Sequence, residues 1–353
     1  GTVYSHPLTN KPNVGWGDGV GVTWNGKPLE QSAALGENTW EWSDSTLFVN
    51  VGEDPTNGEL IWLPSKTGIS DPLELEGSSG NGHVPAHDIV IDHCSFSWGG
   101  DMNVKTNANG LTFTNCISSE ALHHPRHPKG PHSKGFLVEA NHGPDAAHNT
   151  FFARNLLAHN VDRNPRHANN EMVIVNNLVY DVRFGPQVED GRSKTGRLLS
   201  TVVGNVILET TTTRYCLAIF FGMKPESRIY LGPDNFFGGK VQTDPWRSEG
   251  KTSIVIQGRF GDKYANTEVP LANRADEPPV WAEGYAMLPV LEVREYVLAN
   301  AGARPADRDA VDRRVIHQVR DDTKQVGGII ASQDEVGGWP ELAENRRELT
   351  VPD

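Results

Sequence analysis

Ile89-Val90-Ile91-Asp92-His93-Cys94 and Leu111-Thr112-Phe113-Thr114-Asn115-Cys116 share one pattern: alternating apolar residues, a polar residue, then His or Asn and an apolar residue. The pattern returns as Thr150-Phe151-Phe152-Ala153-Arg154-Asn155-Leu156 and Val173-Ile174-Val175-Asn176-Asn177-Leu178. Later copies are Thr201-Val202-Val203-Gly204-Asn205-Val206 and Ile229-Tyr230-Leu231-Gly232-Pro233-Asp234-Asn235-Phe236. The His/Asn position falls at 93, 115, 155, 177, 205 and 235, in steps of 22, 40, 22, 28 and 30 residues. A base period of 22 is too short for a helical repeat, which takes about 33 residues or more, and a propeller blade needs about four strands. The unit that fits is a coil of short strands stacking on the coil before it, a parallel β-helix. Strands buried on one face explain the alternation. An asparagine stacked at a bend can bond the next amide and the turn backbone, so Asn115, Asn155, Asn177 and Asn205 are expected to be structural.

The rest of the chain agrees with an all-β architecture. Glycine (36) and proline (23) favour short strands and turns. No apolar run is long enough to span a membrane. The start, Gly1-Thr2-Val3-Tyr4-Ser5, has neither a charged n-region nor an apolar h-region. Residues 1–60 read as an irregular β segment, a cap or insertion. In it Asn38–Trp42 and Thr46–Val51 alternate around Asp44-Ser45, a hairpin signal. Trp40 and Trp42 either pack that small sheet or present a sugar-stacking platform. Residues 61–284 form the coil domain. Residues 285–340 are a helical segment packed on it: 290–298 and 307–320 have helical spacing, the second with Val311, Val315, Ile316 and Val319 on one face. Residues 341–353 read as a tail. Cys94, Cys116 and Cys216 are too few for a disulfide framework and are expected as buried free thiols.

The net charge of −13 argues against nucleic acid as a partner. Between Ile117 and Arg197, however, ten Lys and Arg face eight Asp and Glu. An anionic ligand is therefore expected at this middle segment. The 40-residue step lies there, and its extra residues hold His123, His124, Arg126, His127, Lys129, His132, Lys134, His142 and His148. Insertions of this kind hang on one face of a solenoid, often the binding face. Their irregular spacing, without interleaved acids, does not suit a zinc site. A rim of donors and cations for carboxylates suits it better. One coil on, Arg163 and Arg166 flank Asn164-Pro165, a stiff turn. Asp92 and Asp101, with Asn103 and Glu120 near in sequence, offer oxygen ligands of the kind Ca²⁺ takes. The alternative for Asp92 is a turn residue bonding its own backbone.

Four stretches closely resemble the pectate lyases of polysaccharide lyase family 1: Ile91–Trp98, Ile117–Leu122, His127-Pro128-Lys129-Gly130-Pro131-His132 and Arg163-Asn164-Pro165-Arg166. Arg308–Asp312 and Asp334–Pro340 look like the C-terminal part of the bacterial members, so the resemblance covers about residues 88–340. It implies a right-handed parallel β-helix, secreted, that cleaves α-1,4-linked polygalacturonate by β-elimination with Ca²⁺. It assigns Arg163 as the base at C5, Lys129 as the catalytic substrate lysine, and Asp92 and Asp101 as calcium ligands. Arg166 matches a motif arginine that holds the Arg163 turn or a carboxylate. Arg126, His132 and Lys134 are read as substrate-binding, and His132 is the competing base by intrinsic pKa. The chain departs from the family pattern at Met102, where an acidic residue is usual, and over its first 60 residues. A lyase on another uronate polymer and a non-catalytic polysaccharide-binding β-helix are the rival readings. A monomer is expected.

Overall fold

The computed structural model describes residues 71–75, 86–125, 130–139, 148–168, 170–189, 197–220, 224–246, 269–321 and 327–339, together with the backbone of short strands at 4–62 and 254–257. The chain is a right-handed parallel β-helix. Each coil lays one strand on each of three sheets. The first sheet holds His87–Asp92, Asn109–Thr114, Thr150–Ala153, Glu171–Val175, Leu199–Val203 and Arg228–Leu231. The second holds Ser95–Ser97, Ile117–Ser119, Leu156–Ala158, Leu178–Tyr180, Val206–Leu208 and Phe236–Phe237, closed by the antiparallel Lys240–Val241. The third runs through Leu73–Leu75, Val104–Thr106, Phe136–Glu139, Arg166–Ala168, Gln187–Glu189, Leu217–Phe220 and Ile254–Gln257.

Inward residues of the three sheets make one core, in which Phe113 stacks on Phe152 with ring centroids 5.4 Å apart and meets Phe136 edge-on. The bend from the first sheet to the second is a single left-handed residue. His93, Asn115, Arg154, Asn176 and Gly204 occupy it with φ of 51°, 49°, 58°, 53° and 63°. The next residue points inward and builds the ladder. Asn155 Nδ2 donates to Asn177 Oδ1, Asn177 Nδ2 to Asn205 Oδ1 and Asn205 Nδ2 to Asn235 Oδ1, at 3.0, 3.0 and 3.1 Å.

This corrects the expected phase in the first two coils. Asn115 is on the left-handed position, partly exposed, with its Nδ2 on Asp92 Oδ1 at 2.9 Å. Cys116 and Cys94 take the ladder places instead. The Cys116 N–H donates to Asn155 Oδ1 (2.9 Å) and the Cys94 N–H to Cys116 Sγ (3.3 Å). The two thiols are free, as is Cys216.

Two helices, α1 (Val290–Asn300) and α2 (Ala310–Asp321), pack on the outside of the second sheet. Val293, Val297, Val315 and Val319 meet its outward Ile117, Leu156, Leu178 and Val206. Val315, Ile316 and Val319 of the expected α2 face are buried, and Val311 is half-buried. Two polar contacts seat α2. Ser95 Oγ donates to Asp312 Oδ2 at 2.6 Å, and Arg314 grips the fully buried Glu120 with both terminal nitrogens. Nearer the N-terminus, Thr39–Ser43 and Thr46–Asn50 pair antiparallel as the hairpin the sequence suggests.

Candidate active site

The bends from the second sheet to the third carry the chain's concentration of charge. They open on a column of left-handed residues, Trp98, Glu120, His159 and Asp181. They close just before the third-sheet strands. There, one coil above another, stand Asp71 before Leu73, Asp101 and Met102 before Val104, His132 and Lys134 before Phe136, and Asp162 and Arg163 before Arg166. Backbone hydrogen bonds hold these bends in register: Asn103 N–H to Lys134 O at 2.9 Å, Gly135 N–H to Asp162 O at 2.9 Å, and Phe136 N–H to Arg163 O at 2.7 Å.

Side chains link the column vertically. The Met102 N–H donates to Asp71 Oδ1 at 2.9 Å. Lys134 Nζ donates to Asp101 Oδ1 at 3.2 Å, and His132 Nε2 lies 3.2 Å from the same oxygen. Arg163, 8% exposed, sets Nη1 at 3.3 Å from Met102 Sδ. Asp162 Oδ1 accepts the Arg163 N–H and Gln187 Nε2. His132 Nδ1 lies 2.6 Å from the Gly130 carbonyl oxygen, so both ring nitrogens face acceptors. The ring is thereby turned to Asp101.

The electrostatics follow from this stacking. Burial pushes the Asp71 carboxyl up to about 7, with the Asp101 and Glu74 charges adding to it against the Met102 N–H. Burial acts on Asp101 in the same sense. There the His132 contact and the Lys134 and Arg163 charges outweigh it and hold the carboxyl well below the usual range. Burial and the Arg163 charge bring the Lys134 ammonium down to about 8, against the pull of Asp101 and Asp162.

The Arg163 backbone is held by an amide network beneath it. Arg163 itself is left-handed, with φ of 62°. Asn164, fully buried, donates from Nδ2 to the Phe184 and Asn160 carbonyls at 2.9 and 3.2 Å and accepts from Asn160 Nδ2 at 3.1 Å. The Asn160 amide oxygen in turn receives the Ala121 N–H at 3.0 Å and Asn103 Nδ2 at 3.5 Å.

The structure thus brings together Asp101, His132, Lys134 and Arg163 of the expected site. It does not bring Asp92 to them. Asp92 lies at the other end of strand Ser95–Ser97, on the first bend of the coil. Burial raises its pKa, but Asn115 Nδ2, Thr114 Oγ1 and His93 Nδ1, at 2.7–2.9 Å from the carboxylate, together outweigh it and lower the pKa. Arg166 sits on the third sheet and binds Glu189 through Nε (2.9 Å) and Nη2. Glu120 turns to Arg314 and Asn103 to Asn160. The long step is also divided. Residues 120–125 and 130–135 belong to this bend, whereas His148 lies on the bend between the third and first sheets, with Nε2 at 3.2 Å from Asn170 Nδ2. Arg126 and Lys129 lie outside the described residues.

Asp71 is the residue the sequence reading missed. A signal existed: Asp71-Pro72-Leu73-Glu74-Leu75 places an acid before a short alternating run, as Asp101-Met102-Asn103-Val104-Lys105-Thr106 does one coil later. For a calcium ion the donor chemistry fits in part. Asp71 and Asp101 are carboxylates on adjacent coils, and the raised Asp71 carboxyl is what a bound cation would relieve. Among the described residues no three His, Cys, Asp or Glu side chains converge. A hard cation here would need further oxygens from substrate and water.

Fold and site together describe a parallel β-helix with an acidic-to-basic corner running along one bend of successive coils. No family model matches the chain. Curated fungal proteins named probable pectate lyase C are similar to it. One from Aspergillus fumigatus is 28% identical over 270 residues, 74% of this chain and 56% of that protein. One from Aspergillus oryzae is 26% identical over 276 residues, 75% of this chain and 57% of that protein. The chain therefore spans little more than half the length of these relatives, and its relation to them is pectate lyase-like at modest identity. A solved structure of a thermostable pectate lyase matches at TM-score 0.38 and 14% identity, over 72% of this chain and 58% of that one. The fold stands on the strand pairing above.

Proposed function

We propose that the chain is a polysaccharide lyase that cleaves α-1,4-linked polygalacturonate by β-elimination. The observation that carries this reading is the corner itself, where Asp71 and Asp101 on two coils are followed in register by Lys134 and Arg163 on the next two. The similarity to probable pectate lyase C supports it. A file that runs from acids, which a cation can bridge to uronate, to Lys134 and Arg163, which pair with carboxylates directly, suits a polyuronate, whose carboxylates recur along the chain.

The chemistry asks for little more. The C5 proton of a galacturonate is α to its carboxylate. Removing it forms the C4=C5 double bond and breaks the C4–O4 bond, the leaving O4 taking up a proton from water, while charge develops transiently on the carboxylate oxygens. Lys134, fixed by Asp101, offers a cation to that charge. Arg163 accepts the proton; a guanidinium gives up its own proton only with difficulty, and the neighbouring Lys134 charge favours that loss. His132 holds Asp101 and is not the base. Asp71 and Asp101 would hold Ca²⁺, which when bound would neutralise uronate charge as a Lewis acid. Lys129 joins as a further substrate cation. A polymer of this size is met outside the cell, so the enzyme is secreted.

The test is the ultraviolet absorbance of the unsaturated uronate product, with polygalacturonate as substrate. Wild type and His132→Ala are expected to produce it, and Arg163→Ala is not. No product from any uronate polymer would remove the lyase reading. Turnover surviving in Arg163→Ala but not in His132→Ala would move the base. For the ion, added Ca²⁺ is expected to raise the melting temperature of wild type and of Asp92→Asn, but not of Asp71→Asn.

A further inference from the structure

Trp339 is 71% exposed, yet it is not loosely placed. Its ring meets Trp98 edge-on, with centroids 5.0 Å apart and an interplanar angle of 88°. Trp98 is itself buried and anchored, its Nε1 donating to Glu120 Oε2 at 3.1 Å. The turn that presents Trp339 is built to a fixed shape. Ser332 caps the 3-10 turn Gln333–Val336 in a capping box with Glu335. Gly337 and Gly338 then take φ of 102° and 73°, a reversal that residues with a Cβ resist. The Gly338 N–H closes it on Gln333 O at 2.9 Å.

Two tethers bring this turn to the acid–base corner. One is Trp98, three residues before Asp101, so the two Cα atoms are within about 10 Å along the chain. The other runs through backbone hydrogen bonds: Ile330 O accepts the His123 N–H at 2.8 Å, and His123 O accepts the His132 N–H at 2.9 Å. His132 then touches Asp101. Beside this tether the exposed His124 ring stacks edge-on against His123, with centroids 4.6 Å apart.

A large aromatic that contributes little to the core, held by a capped turn with an open face, is a surface for another flat apolar face. The ring of a pyranose has one, formed by its C–H bonds, while its carboxylate and hydroxyls stay outward. We propose that Trp339, seated on Trp98, is a stacking subsite for a sugar ring of the bound uronate polymer, a few units removed from the Lys134–Arg163 corner. This rests on the polyuronate reading of that corner. It gives the chain a reason to prefer long substrates over short ones.

The experiment measures binding of trigalacturonate and hexagalacturonate by titration calorimetry, with turnover blocked by Arg163→Ala. It also follows product formation by the unblocked protein. Trp339→Ala is expected to weaken hexagalacturonate about tenfold while leaving trigalacturonate within about twofold; Trp339→Phe should retain most of the affinity. Hexagalacturonate should also quench tryptophan fluorescence in a Trp339-dependent way. If Trp339→Ala, with an unchanged melting temperature, binds both oligomers as its parent does, the subsite is refuted, and product formation leaves the lyase reading standing. Trp339-dependent binding without product from any uronate polymer would refute the lyase and keep the subsite. Binding of neither oligomer by the parent would overturn both.

Discussion

The Asn ladder makes a sharp prediction. Asn177 is fully buried, and its side chain makes five contacts. Nδ2 donates to the Phe152, Val175 and Asn205 oxygens at 3.0, 3.1 and 3.0 Å, and Oδ1 accepts Asn155 N–H and Nδ2, each at 3.0 Å. In Asn177→Ala the Asn155 N–H loses the acceptor it has here, a cost of about 1–3 kcal/mol for a buried donor. The other four partners lose one bond each but keep or regain others. Asn155 Nδ2 still reaches Phe113 O, and Asn205 Oδ1 still accepts the Asn177 N–H. The sum is roughly 3–5 kcal/mol. Asn115, which the repeat placed on the same footing, should behave differently. Its side chain makes one partly exposed bond to Asp92, and glycine accepts its left-handed backbone without strain. Asn115→Gly should therefore cost within about 1 kcal/mol. Urea denaturation followed by far-ultraviolet circular dichroism gives both values. Hydrogen exchange should show protection at Asn155 N–H lost in the first variant only. Equal costs, or a larger cost at Asn115, would refute the assigned phase of the ladder.

Two further outcomes test the site and its support. Asn164→Ala breaks the amide network under Arg163 without touching the corner, so kcat on polygalacturonate should fall at least about tenfold with KM little changed; a change in KM alone would remove its positioning role. Burial raises the Asp312 carboxyl against the pull of the Ser95 hydroxyl, so between the unfolded and the folded pKa the folded chain keeps a proton that the unfolded chain has lost. Stability should then fall as pH rises through that window and level off above it. Asp312→Asn should flatten this slope in denaturation midpoints measured from mildly acidic to neutral pH.

How much of this was legible beforehand depends on what a repeat can carry. The spacing of apolar alternation and of Asn155, Asn177, Asn205 and Asn235 was sufficient for a stacked coil, because a period of 22 residues is too short for a helical repeat or a propeller blade and each coil must satisfy the same buried bend. The sequence alone therefore determined the architecture, the free thiols and the helices that follow it. It could not determine the phase of the first coils. A one-residue slip at a left-handed bend exchanges the inward and outward side chains, and Asn115-Cys116 offers a plausible residue at either place. Nor could it say which bend receives an insertion, since extra residues after Cys116 were divided between two corners. The site was decided by stacking. Asp71 and Asp101 are 30 residues apart in sequence yet lie one coil apart in space, while Asp92, nine residues from Asp101, is turned to the other corner of the same coil. Neighbours in a β-helix are set by the register of parallel strands, and that register is a property of the folded coil.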